Sequence, residues 1–340
     1  MHSPLAKGSL NGKINNPLLQ LNQSIRELDF VGAINFKELN LEYFLSNYKN
    51  QKKSTVQYNI SLKSALTIQT FNFRKLSLSN IAGYLIYNEG EFYLRDFSTS
   101  ALDGKIKGSC IYTSSYPSQI TIDVSTQNIN IQKLFYTFDN FNQDIILSDN
   151  ISGKLTGDIL FKSAINENGT LDYPTIRSTA DVSIMEGELI ELEWLQSMSK
   201  FIDVDELKHV QFSQLNNTIS IANSTVNIPM MEVFSSAIDL EISGTHNFSG
   251  GHAYVVVVSL SELLRKGGSQ RDKNEFGEIY DPNKNRWKIP LSIEGDKDGS
   301  TVQYSRKLAR EMRKGKIEEA KTELKEILRE EFNQSTNEIE

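Results

Sequence analysis

The sequence predicts a mainly β fold: a long antiparallel sheet with a few short helices and a charged C-terminal helix. Three observations carry this. Apolar and polar residues alternate with a period of two through most of the 340 residues. Turn-forming pairs separate the alternating runs, among them Glu89-Gly90, Asp103-Gly104, Asn168-Gly169, Gly250-Gly251 and Asp298-Gly299. The connections are too short for helical crossovers, so most neighbouring strands should be antiparallel hairpins.

In chain order, Leu28, Phe30, Ile34 and Phe36 mark the first clear strand, and Tyr58, Ile60 and Leu62 the next. Glu38 to Asn47 between them suits a short helical turn. Ile120, Ile122 and Val124 form another strand, followed by a helical turn over Ile131 to Thr137. Leu155, Ile159 and Phe161 mark a further one. In the next run Ile176, Ser178, Ala180, Val182 and Ile184 share one face, with Arg177, Thr179, Asp181 and Ser183 on the other. Glu191 to Ile202 carries Leu192, Leu195, Met198 and Ile202 at helical spacing. Glu188, Glu191 and Glu193 sit near its start, where the helix dipole favours them. Ile238, Leu240 and Ile242 return to period two, and Ser261 to Lys266 suits a helical turn. Ile289, Leu291 and Ile293, then Val302 and Tyr304, close the strand region. Ser305 to Phe332 is the longest helical stretch, and Gly315 divides its apolar positions, so a kink or helix-turn-helix is expected there. Residues 333–340 are expected to be a disordered tail.

The chain also repeats itself. Phe97 to Gly108 aligns with Val233 to Gly244, with Ala, Asp, Ile and Gly in register. A return strand follows each (Ile120 to Val124, Val255 to Leu260), then a helical turn. A fainter third copy runs from Leu10 to Ile14 and ends with Leu39 to Phe44. The uneven spacing makes this a loose repeat rather than a fixed-period solenoid.

Composition narrows the function classes. Apolar residues make up 39% of the chain, which suits a sheet wet on one face. A net charge of −7 argues against wrapping nucleic acid. Cys110 is the one cysteine, so no intramolecular disulfide can form; Ile106 and Tyr112 share its strand parity, which reads as a buried structural thiol. The histidines are His2, His209, His246 and His252, without metal-ligand spacing. His246 and His252 can approach across the Asn247 to Gly251 turn, but no cysteine or suitably spaced carboxylate joins them, so they read as surface turn histidines. Glu186, Glu188, Glu191 and Glu193 read as a solvated helix start rather than an acid–base pair. Asp296 to Gly299 reads as a hairpin turn rather than a calcium loop, and Gly267-Gly268 as a polar loop. No catalytic residue, metal or cofactor is assigned. Met1 through Ile14 lacks a signal-peptide pattern, and the longest apolar run, Ala253 to Val258, is too short to cross a bilayer.

A sheet with one apolar face must bury that face or use it. The few helices are too small to cover more than a dozen strands. The sheet must therefore fold on itself as a sandwich or barrel, or curl into an elongated groove with an apolar lining. Small residues at inward positions (Ser178, Ala180, Gly108, Gly157, Gly244) leave room inside. An open apolar trough of this length suits acyl chains.

Ile151 to Leu264 resembles the C-terminal region of AsmA-like proteins. The likeness rests on the order of its pieces. Ile151-Ser-Gly-Lys-Leu-Thr-Gly-Asp-Ile159 is followed by Met185-Glu-Gly-Glu-Leu-Ile190 and a short apolar helix. Val204 to Leu207, Phe212 to Leu215 and Phe234 to Gly244 complete it, and Asp281 to Phe332 resembles the closing segment of Bacteroidetes-type members. The resemblance implies a long β-groove in the bacterial periplasm, engaged in phospholipid transfer and outer-membrane biogenesis. Family members usually begin with an inner-membrane anchor, so the expectation for this chain is a fragment lacking anchor and signal.

These readings converge on a long, curved antiparallel sheet forming an apolar groove. The expected organisation is a β-groove repeat region over 1–150, an AsmA-like β region over 151–304, the charged helix over 305–332 and the tail. The expected function is non-enzymatic binding or transfer of lipid. Ile176, Ala180, Val182, Ile184, Ile238, Leu240 and Ile242 are the candidate lining residues for phospholipid acyl chains. Val182→Asp should then abolish lipid binding. The charged helix, with Arg306, Lys307, Arg310, Arg313, Lys314 and Lys316 in its first half, either packs one thin stripe on the sheet end or docks membrane or envelope proteins. The alternative is a periplasmic structural or protein-interaction scaffold, whose interior would be filled by side chains.

Overall fold

The computed structural model describes residues 6–15, 25–43, 57–143, 145–192, 195, 207–235, 238–261, 279–281, 286–296 and 299–315. One sheet of sixteen strands, not closed into a barrel, contains nearly all of them. The strands are β1 (Ala6–Asn15), β2 (Ile25–Asn40), β3 (Gln57–Phe73), β4 (Leu76–Asn88), β5 (Glu91–Ala101), β6 (Gly104–Thr113), β7 (Ser118–Asn130) and β8 (Ile151–Ile165). They continue as β9 (Arg177–Ile190), β10 (His209–Ala222), β11 (Thr225–Phe234), β12 (Asp239–Asn247), β13 (His252–Ser261), β14 (Ile279–Asp281), β15 (Arg286–Asp296) and β16 (Gly299–Tyr304). Spatial order follows chain order through β13. β15 comes next, and β14 and β16 share its far edge.

Neighbouring strands pair antiparallel, as the short turns predict, except that β2 and β3 are parallel. Residues 41–56 make that return, beginning with helical residues 41–43. The helical turn predicted from Glu38 starts later than expected. Glu38, Leu39 and Asn40 still pair with Thr70, Phe71 and Asn72, so the ladder with β3 extends the strand. The turn predicted over Ile131 to Thr137 is helix α1 (Ile131–Thr137), whose N-cap Asn130 accepts a hydrogen bond from the Lys133 amide at 3.0 Å. The charged C-terminal helix, α2, is described over 306–315, so Gly315, where the kink is predicted, is its last described residue; the tail lies outside the described residues. The helix expected over Glu191 to Ile202 also lies largely outside them, though Leu192 and Leu195 are described and fully buried.

Register fixes which side chains share a face. One row of directly opposed residues crosses the sheet from β1 to β15: Gly12, Gly32, Ser64, Leu85, Leu94, Cys110, Ile122, Phe161, Ser178, Ile221, Val226, His246, His252 and Gly295. We call this the inner face. The outer face carries hydroxyl–carboxylate rungs, such as Ser125 to Asp158 and Thr218 to Asp181, both 2.5 Å, beside scattered apolar side chains such as Val31, Leu160 and Val257.

A line of bulges crosses the sheet near one end of the strands. β5, β7, β9 and β11 each carry one extra residue against a neighbour, at Arg95-Asp96, Gln127-Asn128, Glu186-Gly187 and Pro229-Met230. Both members of the β5, β7 and β11 pairs are exposed, as are Met185 and Glu186 in β9. Asp96, Asn128 and Glu186 take left-handed backbone, with φ of 50°, 54° and 53°. A bulge bends its strand and increases the twist, so a line of them curls this margin of the sheet toward the inner face. At the β9 bulge, Phe212 lies where a Cβ on Gly187 would be, 2.0 Å from its ring, so only glycine fits there.

We call the bulged margin the first lip; it carries the β3–β4, β5–β6 and β11–β12 turns. The second lip carries the β4–β5, β6–β7 and β12–β13 turns. The curvature is large. Lys75, in the β3–β4 turn, pairs with Asp139, while the Phe248 carbonyl, in the β12–β13 turn, accepts from Asn142 at 2.8 Å. Asp139 and Asn142 lie no more than roughly 11 Å apart along the chain. Turns at opposite lips, separated by the strands from β4 to β12, are thus brought to one short segment.

Candidate functional site

The inner face is covered in one half of the molecule and open in the other. From β7 to β16 it forms a continuous buried cluster that includes Ile129, Leu155, Val233, Val256, Ile289 and Ile293. Of the predicted lining residues, Val182, Ile184, Ile238 and Leu240 belong to this cluster, and Ala180 and Ile242 pack against it. Ile176 is buried just ahead of β9. Ala180, Val182, Ile184, Leu240 and Ile242 thus share the inner face, as their parity predicts, and contribute to one core. Leu240 is only 1% exposed and Val182 8%, so protein side chains fill the space that a ligand would need.

Part of the cover comes from the chain between β7 and β8. α1 leaves the first lip at Asn130, where Asp103 accepts from Lys133 at 2.6 Å and from Asn130 at 3.1 Å. The Lys133 hydrogen bond, helped by Asn130 against a burial cost, holds the Asp103 carboxyl below its usual range. The segment crosses the inner face, with Ile131, Leu134, Phe135, Ile145 and Ile146 on the cluster. It reaches the second lip at Asn142 and returns to the first, where Asn150 donates to the Ile190 carbonyl at 3.0 Å. Its centre, Asp139–Asn142, is a left-handed turn: all four residues have φ between 52° and 55°. Left-handed backbone costs an L-residue roughly 1–2 kcal/mol, and Asp and Asn less than Phe141. Contacts on both sides hold the turn. Lys75 pairs with Asp139 and lies 4.7 Å from the Tyr136 ring centre, while Phe141 packs edge-on to Phe135 at 5.1 Å.

From β1 to β6 the inner face has no such cover among the described residues. Only Leu66, Ile68 and Ile81 form a buried cluster, near the first lip. Toward the second lip and the β1 edge, the same face exposes large apolar side chains: Leu10 at 62%, Ile14 at 54%, Ile60 at 43% and Phe92 at 41%. Tyr87, Phe92 and Tyr112 form an aromatic row along the second lip, with ring centres 4.4 and 6.1 Å apart. Cys110 lies on the trough floor between Leu94 and Ile122. It is half-buried rather than fully buried as read from sequence, and burial pushes its thiol up to about 11.

The sequence missed these open residues. Leu10 and Ile14 had been noted only as part of a repeat, and Phe92 not at all. Their signal was parity with Ile34, Phe30 and Tyr112, which can be read only once the register is known.

His246 and His252 depart from the sequence reading. They are not surface turn residues but directly opposed partners on the inner face, stacked at 6.0 Å and 3% and 6% exposed. The inner-face parity of β12 and β13, not the nearby turn, decides their placement. His252 Nε2 lies 2.9 Å from Ser300 Oγ, and His246 Nε2 lies 3.3 Å from the Asn142 carbonyl oxygen. Among the described residues, no three His, Cys, Asp or Glu side chains gather in a metal-holding group. Two shallow concavities, of about 670 and 540 Å³, are lined mainly by outer-face residues such as Thr156, Asp181 and Asn216 in one and Ser292, Glu294 and Thr301 in the other. No helix among the described residues is long and apolar enough to cross a membrane.

No protein-family model, curated protein or solved structure matches the chain.

Proposed function

We propose that this chain is a non-enzymatic lipid-binding protein of the bacterial envelope, holding phospholipid acyl chains along the inner face of β1–β6. It would contribute in the periplasm to lipid transfer and outer-membrane biogenesis, with α2 as a docking element for membranes or envelope proteins. The observation that carries the reading is the exposure of Leu10, Ile14, Ile60 and Phe92 on the face that is buried elsewhere in the sheet. A concave strip of exposed apolar side chains is unfavourable in water and is relieved by an apolar ligand. Acyl chains fit because the strip is long and narrow and carries few polar groups to orient a compact molecule. The placement in the periplasm rests on the resemblance to AsmA-like proteins.

A scaffold role is the second reading, favoured by the side-chain-filled interior from β7 to β16. Native mass spectrometry on detergent-free protein separates the two. The lipid reading expects co-purified phospholipid that is lost in Ile60→Asp with Phe92→Asp. Folded protein that carries no lipid, and takes none up from phospholipid vesicles, would favour the scaffold. Val182→Asp is a poor test, because its side chain would enter the packed core.

A further inference from the structure

The segment between β7 and β8 differs from the tight turns that join other described strands. The β3–β4, β4–β5, β5–β6, β6–β7, β10–β11 and β12–β13 links are tight turns at one lip. This one runs from the first lip to the second and back, on the inner face, and contains four consecutive left-handed residues. Its interior bonds tie it to itself: the Gln143 carbonyl oxygen Oε1 accepts from the Ile145 and Ile146 amides at 2.8 and 2.9 Å, and Asn140 Oδ1 accepts from the Ser148 amide at 2.9 Å. Among the described residues, polar contacts that tie its middle to the sheet include Lys75 to Asp139 and to the Tyr136 carbonyl, Asn142 to the Phe248 carbonyl, and His246 to the Asn142 carbonyl. Strained backbone held by surrounding contacts belongs typically to clamps and switches.

We propose that residues 131–150 are a strap that closes the trough over β7–β13 and lifts as one unit when its contacts with the two lips are broken. Lifting it removes Leu134, Phe135, Ile145 and Ile146 from the cluster that holds Val182, Ile184 and Leu240. The open trough of β1–β6 is thereby lengthened toward the stacked histidines. The left-handed turn biases the strap toward release, because the freed segment can relax to ordinary backbone. The closed state rests on the lip contacts and the apolar underside. The consequence for lipid rests on the acyl-chain reading; the existence of the strap does not.

Amide hydrogen exchange on the full chain tests this. Asn142→Gly keeps a residue suited to left-handed backbone and removes the bond to Phe248, and Lys75→Ala removes the contacts with Asp139 and the Tyr136 carbonyl, while the His246 contact with the Asn142 backbone remains. In the double variant, exchange across 138–147 should rise about tenfold while β8 and β9 keep their protection. Unchanged exchange in the strap, or equal loss of protection in β8 and β9, overturns the proposal: the segment would then be ordinary core. Uptake of fluorescent phosphatidylcholine from phosphatidylcholine vesicles is measured on the same variant. A rise of several-fold alongside faster strap exchange supports both strap and cargo. Faster strap exchange without uptake still supports the strap and counts against the acyl-chain reading.

Discussion

The two halves of the sheet are built from the same kind of strand and end in opposite states. β3 carries Ser64, Leu66 and Ile68 on the inner face, and β9 carries Ala180, Val182 and Ile184 there, in similar alternation. Around β9 the face is sealed by the strap, by Leu192, Leu195 and Leu207, and by the opposite wall of the curled sheet. Around β3 it is sealed only near the first lip, and Ile60, four residues before Ser64, is open. Alternation decides which face is apolar. What lies on that face decides whether it becomes a core or a trough.

Charge substitution tests this contrast most strongly. Leu240→Asp would place a carboxylate in the packed half and should cost about 4 kcal/mol or more, enough to abolish folding of most of the chain. Ile60→Asp on the open half should cost less than about 1 kcal/mol, because its carboxylate can stay hydrated. Urea unfolding of both variants checks the difference. Similar losses in the two would mean that the β1–β6 face is covered too.

The single thiol gives a second, smaller test. With its thiol raised to about 11, Cys110 has few thiolates at pH 8. Its labelling by a disulfide reagent should be about a hundredfold slower than that of a free cysteine, and should speed up as pH climbs toward 11. The stability change has a definite sign. The folded state favours the neutral thiol, so its contribution is complete below the free-thiol range and is lost as pH rises from about 9 toward 11, by at most roughly 2–3 kcal/mol. Phospholipid in the trough should slow labelling at pH 8 further. Fast labelling at pH 8 would mean that the trough floor is wet.

The fold class was legible because period-two alternation is local. Ile176 through Ile184 fixes its own face without reference to any partner, and the Ile131–Thr137 turn carries its own cap. The parallel β2–β3 pair was not legible, because the direction of pairing depends on where residues 41–56 lead. The distinction between lining and core was also hidden. Val182 and Ile60 look alike in sequence, and only the strap and the curvature separate them. The histidines failed for a related reason: the proximity of a turn outweighed parity, although His246 continues the series Leu240, Ile242, Gly244. The bulges did leave a trace. Arg95-Asp96, Gln127-Asn128 and Glu186-Gly187 each interrupt the alternation with two adjacent residues that cannot both face inward.

Those doublets also yield the finest comparison between the halves. Asp96 bends β5 in the open half, and Glu186 bends β9 in the closed half, both with left-handed backbone. Glycine at either site relieves the clash of Cβ with its own backbone, but it also loosens the unfolded chain, which offsets part of the gain. Each side chain makes an exposed ion pair, Asp96 with Arg95 at 3.6 Å and Glu186 with Lys154 at 2.6 Å, and such pairs contribute little. Aspartate tolerates left-handed backbone better than glutamate does. Glu186→Gly should therefore stabilise by about 0.5–1 kcal/mol, and Asp96→Gly by roughly half of that or nothing. Thermal unfolding of the two variants decides the order. If Asp96→Gly gains more, the β5 bulge is the more strained of the two, and the open half is bent against its own preference rather than by the same local geometry as the closed half.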